Sequence, residues 1–102
     1  MRAFGPKAFA RLLKTINLLE EFGIELGAEY VDHIRGKIWE LRASRYRVLY
    51  FAFTGRRFVL LRVFMKKTKK TPGREIAIAE HRLRDYVARM VTVQVLKGGA
   101  RA

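Results

Sequence analysis

The chain has no cysteine. That absence removes disulfides, thiolate zinc sites and thiol nucleophiles together, and it suits a reducing cytoplasm, where the protein is expected to act. Histidine is nearly as scarce: His33 and His81 fall in different segments without carboxylates at ligand spacing, so no metal site and no cofactor are expected. No apolar run approaches the roughly 20 residues needed to cross a membrane, and the N-terminus lacks the apolar centre of a signal peptide. There is no phosphate-cradling glycine loop and no Gly-x-Ser-x-Gly elbow. The most local scarcity is of acids. Between Arg35 and Arg74 stand thirteen Lys or Arg and one acid, Glu40, whereas the rest of the chain holds nine bases and eight acids. That imbalance argues against a two-carboxylate glycosidase or a two-metal nuclease.

What is present is enough to fold. Half of the 102 residues are apolar and 12% are aromatic, too many for a disordered basic tail. A chain of this length buries roughly 60–70% of its unfolded surface, so one domain over residues 1–102 is expected, with its core between 6 and 90. The formal net charge of +13 calls for a polyanionic partner, nucleic acid or an acidic protein, although an anionic membrane surface would also attract such charge; no membrane partner is expected.

Pro6 suits a first helical position, and Phe9, Leu12, Leu13, Ile16, Leu19 and Phe22 follow at helical spacing, which predicts a helix over 6–22 that stops at Gly23. Between Glu25 and Arg35, Leu26, Tyr30, Val31 and Ile34 are compatible with a short helix or with a turn and loop, and a short helix is expected. Ile38–Ala43 alternates, Tyr46–Phe53 is apolar on both faces apart from Arg47, and Phe58–Lys66 follows a hairpin connection at 54–57, giving three strands. In the third, alternation puts Arg62 and Lys66 with Phe58, Leu60 and Phe64. Thr71 and Pro72 read as cap and first residue of a last helix, whose apolar face is Ile76, Ala79, Leu83, Val87 and Met90. Its wet face offers Glu80 with Arg84 and Asp85 with Arg89 as i, i+4 pairs. Val91–Leu96 is β-branched and alternating, as in a final strand, and 97–102 is expected to fray.

The residues left for chemistry are Arg42, Arg47, Arg62, Lys66, Lys67, Lys69 and Lys70. Cations alone can support RNA cleavage if they stabilise the charge growing on the phosphorus oxygens while a base takes the 2′-hydroxyl proton. Arginine suits the first role because its planar fork matches two phosphate oxygens. The same residues also suit a surface that only binds phosphates or an acidic protein, and charge does not decide between nuclease and binder. Tyr46 and Tyr50 read as packing residues.

Four segments in order are similar to a known family. They are Arg35-Gly36-Lys37-Ile38-Trp39-Glu40-Leu41-Arg42, Tyr46-Arg47-Val48-Leu49-Tyr50, Phe64-Met65-Lys66-Lys67-Thr68-Lys69-Lys70-Thr71-Pro72, and Glu75-Ile76-Ala77 through Arg82 with Asp85-Tyr86. Over residues 12–90 the chain resembles the phage-derived HigB-like branch of the RelE/ParE toxin superfamily. The resemblance implies an α+β fold, a small antiparallel sheet against N-terminal helices and one C-terminal helix. It also implies a ribosome-dependent, metal-independent mRNA endoribonuclease, neutralised by a cognate antitoxin with a helix-turn-helix domain. Its partners would be the ribosome and mRNA. Carried over by motif position, Arg42, Arg47, Lys66 and Lys67 are the catalytic set, and Lys37, Arg45, Arg62, Lys69 and Lys70 bind RNA. Members of the branch commonly have histidine then glycine where this chain has Arg62-Val63, so no proton role falls there. They usually begin with a strand and a longer helical hairpin, so either the N-terminus is abbreviated or Val91–Leu96 replaces an edge strand. ParE-type relatives attack gyrase, which keeps a gyrase-directed toxin, or a phage protein retaining only nucleic-acid affinity, as the alternative.

Overall fold

Helix α1 spans Pro6–Phe22 and ends where Gly23 takes φ 58°, a backbone angle that costs glycine little, with its N–H donating to the Leu19 carbonyl. In the computed structural model, which describes residues 5–54 and 57–101 with side chains as far as Val91, a 3₁₀ turn over Gly23–Glu25 follows. Four strands come next: β1 Val31–Arg35, β2 Ile38–Ala43, β3 Tyr46–Ala52 and β4 Phe58–Met65. They form one antiparallel sheet in the order β1-β2-β3-β4, and helix α2 then runs over Gly73–Arg101. The architecture is α+β, as the resemblance implied. Among the described residues no helix is long and apolar enough to cross a membrane.

The helices cover opposite faces of the sheet. Leu41, Ala43, Val48 and Tyr50 pack against Leu12 and Leu19 of α1 and Leu26, while Ile38, Leu49, Phe51, Leu61 and Phe64 pack with Ala79, Leu83, Tyr86 and Val87 of α2. This double cover is why β3 reads as continuously apolar. Burial pushes the Tyr50 phenol up to about 12, so it stays neutral and serves packing.

Three expectations need correcting. The segment before Arg35 is a strand, β1, paired in register with β2 through Val31 and Leu41. It mimics a helix because this edge strand packs a half-buried Val31 against the α1 cluster and a half-buried Ile34 against the α2 cluster, three residues apart. In β4 a bulge intervenes, since Tyr50 pairs with Leu60 but Leu49 pairs with Arg62. Leu61 and Arg62 therefore both turn toward α2, which moves Phe58 to the α1 side while Phe64 stays with Arg62. Finally, Val91–Leu96 is no strand: it continues α2, which runs on to Arg101. Intrinsic β propensity is a weak preference that helix propagation overrides. Of the pairs expected on α2, Asp85 meets Arg89 at 3.4 Å, but Glu80 reaches across to Arg35 at 3.3 Å. Gly55 and Arg56, in the expected β3–β4 hairpin connection, lie outside the described residues, though Phe53 N–H donates to the Arg57 carbonyl at 2.8 Å across it.

Both tight hairpins put a positive φ at the first central residue, Gly36 at 55° and Ser44 at 59°. Such two-residue turns favour glycine there. Ser44 is thus held in a conformation that costs an L-residue about 1–2 kcal/mol, part of which glycine would return as chain entropy. Ser44→Gly is expected to stabilise the fold by about 0.5–1 kcal/mol, raising Tm by about 2–8 °C in a thermal melt.

Candidate functional site

The β2–β3 turn, the end of β4 and the lysine segment before α2 meet at one end of the sheet. There an open cleft of about 630 Å³ is lined by Ser44, Arg45, Arg47, Lys66, Lys67, Thr68 and Lys69. Five of the nine residues expected to touch RNA are in this lining. The backbone welds the parts together, because the Lys66 N–H donates to the Arg45 carbonyl at 2.9 Å, fixing the turn against the strand end.

Arg47 is the most constrained cation of the cleft. Its Nη1 donates to the carbonyls of Ser44, at 2.7 Å, and Tyr46, at 2.9 Å. Its Nε is buried and has no hydrogen-bond partner among the described residues, although Glu40 Oε1 lies 3.7 Å away. The same oxygen stands 3.8 Å from Lys66 Nζ, and the second Glu40 oxygen accepts the Thr71 hydroxyl. Thr71 therefore does not cap α2. The Pro72 carbonyl instead accepts the Ile76 N–H at 3.3 Å, so the helix begins one residue later than the Thr-Pro pattern suggests.

The other expected residues sit elsewhere. Arg42 is the cross-strand partner of Arg47, an arrangement that like charges disfavour. The conflict is resolved by turning Arg42 away: it meets Asp32 at 3.4 Å and donates to the Ala28 carbonyl at 2.8 Å. Arg62 lies on the α2-facing side, with Nε donating to Glu75 at 2.6 Å. Lys37 occupies the β1–β2 turn at the opposite end of β2, and Lys70 is exposed beyond the cleft lining. Among the described residues, no group of three or more His, Cys, Asp or Glu is placed to hold a metal ion.

The Arg62 pair carries its own prediction. Glu75 is buried, with Arg74 at a looser 3.9 Å, so losing Arg62 leaves a carboxylate short of a donor. We expect Arg62→Ala to lower stability by about 2 kcal/mol, the cost of a broken buried pair discounted for the one-third exposure of the arginine. Urea titration reads it, and an unchanged midpoint would show the pair to be ornamental.

Sequence reasoning passed over Ser44, whose carbonyl orients Arg47, as well as Thr68 and Thr71. It also left Glu40 without a role, although a lone acid among thirteen bases was the available signal. Residues 1–84 match the family described as phage derived protein Gp49-like (DUF891). No curated protein matches the chain.

Proposed function

The chain belongs to the phage-derived Gp49-like family, a toxin-like type, and from that premise we propose that it is the toxin of a type II toxin–antitoxin module and cleaves mRNA on the ribosome. The observation that carries this reading is the cleft in which Arg47 and Lys66 stand side by side over one buried carboxylate, with Lys67 and Lys69 along the same wall. It is open to solvent, and its donors are cationic, as a developing phosphorane charge requires.

In the proposed reaction the 2′-oxygen attacks the adjacent phosphorus, and its proton passes to a base. The bond from phosphorus to the 5′-oxygen breaks, that oxygen takes up a proton, and the products are a 2′,3′-cyclic phosphate and a 5′-hydroxyl. Arg47 and Lys66 stabilise the phosphorus oxygens, and Lys66 and Lys67 are the groups of the cleft able to exchange protons. Arg45, Lys69 and Lys70 hold flanking phosphates of mRNA or ribosomal RNA. Arg42, engaged with Asp32 and the Ala28 carbonyl, ties β2 to the neighbouring strand. A cognate antitoxin with an acidic or amphipathic segment would silence the protein by covering this cleft.

The test is cleavage of mRNA on reconstituted translating ribosomes, read by primer extension. Wild-type protein should cut within the occupied A-site codon, and an mRNA with a 2′-deoxynucleotide at that position should stay whole. Intact mRNA at protein concentrations that arrest growth would overturn the nuclease reading. Salt-dependent RNA binding without scission would then favour a non-catalytic module, and gyrase inhibition a ParE-like one.

A further inference from the structure

Glu40 is the one acid of the basic stretch and is 1% exposed in the middle of β2. A buried carboxylate is costly unless charge and hydrogen bonds compensate it. Here the compensation comes from three segments that build the cleft: Arg47 from β3, Lys66 from the end of β4, and Thr71 from the segment that leads into α2. One side chain thus sets the spacing of two cations and ties the lysine segment to the sheet.

The distances separate positioning from plain neutralisation. Arg47 Nε and Lys66 Nζ stand 3.7 and 3.8 Å from Glu40 Oε1, beyond the roughly 2.7–3.2 Å of an N–H···O hydrogen bond. Attraction of charge holds them there, and their donors are not consumed by the carboxylate. Arg62 shows the opposite case, since its Nε is bonded to Glu75 at 2.6 Å. Lys66, held near the carboxylate but not bonded to it, can turn to a phosphate without breaking a hydrogen bond to Glu40, whereas Arg47 is fixed by the Ser44 and Tyr46 carbonyls and meets a phosphate where it stands.

We infer that Glu40 is a positioning residue that aligns Arg47 and Lys66 for the scissile phosphate while weakening the cleft's hold on RNA in the ground state. The inference rests on the reading of the cleft as a phosphate site and goes beyond it in one respect. A carboxylate beneath two cations subtracts a charge from the ground-state attraction of the cleft, so its removal should strengthen binding even as it spoils alignment. A residue that only supported the fold would lower both together.

Glu40→Gln tests this, because it keeps the side-chain shape and an acceptor for Thr71 while removing the charge. Two quantities are measured beside wild type: single-turnover mRNA scission on ribosomes, and binding of a fluorescent single-stranded oligonucleotide with 2′-deoxy linkages across a salt series. The expected result is scission slowed at least about 100-fold, with binding equal or tighter and the slope of log K against log salt steeper by about 0.7, one phosphate contact in single strands. Scission at the wild-type rate, or binding and scission weakened in parallel, would overturn the inference. If wild type itself does not cut, the nuclease reading fails, and the salt slope alone decides whether Glu40 offsets the cleft's charge. Should Glu40→Gln not fold by circular dichroism, Thr71→Val serves in its place. It keeps the carboxylate and removes the tether, so scission should fall about tenfold with the slope unchanged, whereas full activity would overturn the inference.

Discussion

If the protein cuts mRNA as proposed, Arg47→Ala should lower the single-turnover rate of scission by about 10²–10³-fold, the loss typical when one preorganised donor to a developing oxyanion is removed. Arg47 is the cleft cation most firmly held in place. Its Nη1 is fixed by the Ser44 and Tyr46 carbonyls and its Nε lies against Glu40, so the guanidinium plane has little freedom to reorient when charge develops. A donor that needs no reorganisation gives more in the transition state than one that must be ordered first. Arg47→Lys should recover little, because an ammonium cannot hold the turn carbonyls and also present a second face to phosphate. Arg42→Ala should cost far less in rate, since Arg42 is committed to Asp32 and the Ala28 carbonyl. Equal losses for Arg42→Ala and Arg47→Ala would mean that general positive charge, not Arg47 itself, carries the chemistry. Denaturant melts run in parallel show that each variant is folded when assayed.

Much of this site was legible in the sequence because its cations are close in the chain. Arg45 sits in the β2–β3 turn and Arg47 just after it, and Lys66, Lys67 and Lys69 lie within four residues, so local geometry alone brings each group together. What the sequence could not show was which cations are already engaged. Arg62 is the one charged residue of an otherwise apolar strand, yet a bulge and the first turn of α2 deliver Glu75 to it. Arg42 and Arg47 look equivalent in the pattern, but the edge strand supplies Asp32 to one and the buried Glu40 serves the other. Both distinctions depend on side chains distant in sequence, and register across strands is fixed only by the assembled fold. The fold shows the same division. β2 and β3 were legible because alternation and continuous apolarity report burial on one or two faces. β1 was not, because Val31 and Ile34 serve opposite faces at a spacing that a helix also uses.

Phe51→Ala should be the most destabilising single change in the core outside the cleft. Phe51 is 2% exposed on the central strand and meets the rings of Tyr86, at 5.9 Å, and Phe53, at 6.3 Å, edge-on. Truncating such a ring removes its transfer free energy and leaves a cavity that a sheet held between two helices cannot close, costing about 3–5 kcal/mol. That is about a fifth or more of the stability typical of a domain this size, with a fall in Tm of at least about 12 °C. In urea the midpoint should drop with the m-value unchanged, as expected when stability and not the unfolded state is altered. The cleft lies at the other end of β3, where Arg47 and Tyr46 start the strand that Phe51 and Ala52 finish. Protein that remains folded at low temperature should therefore still cut mRNA at near the wild-type rate. A variant that kept its midpoint would show that α2 is not anchored through Phe51. One that kept its fold but lost scission would show that the packing between sheet and α2 sets the geometry of the cleft as well as its stability.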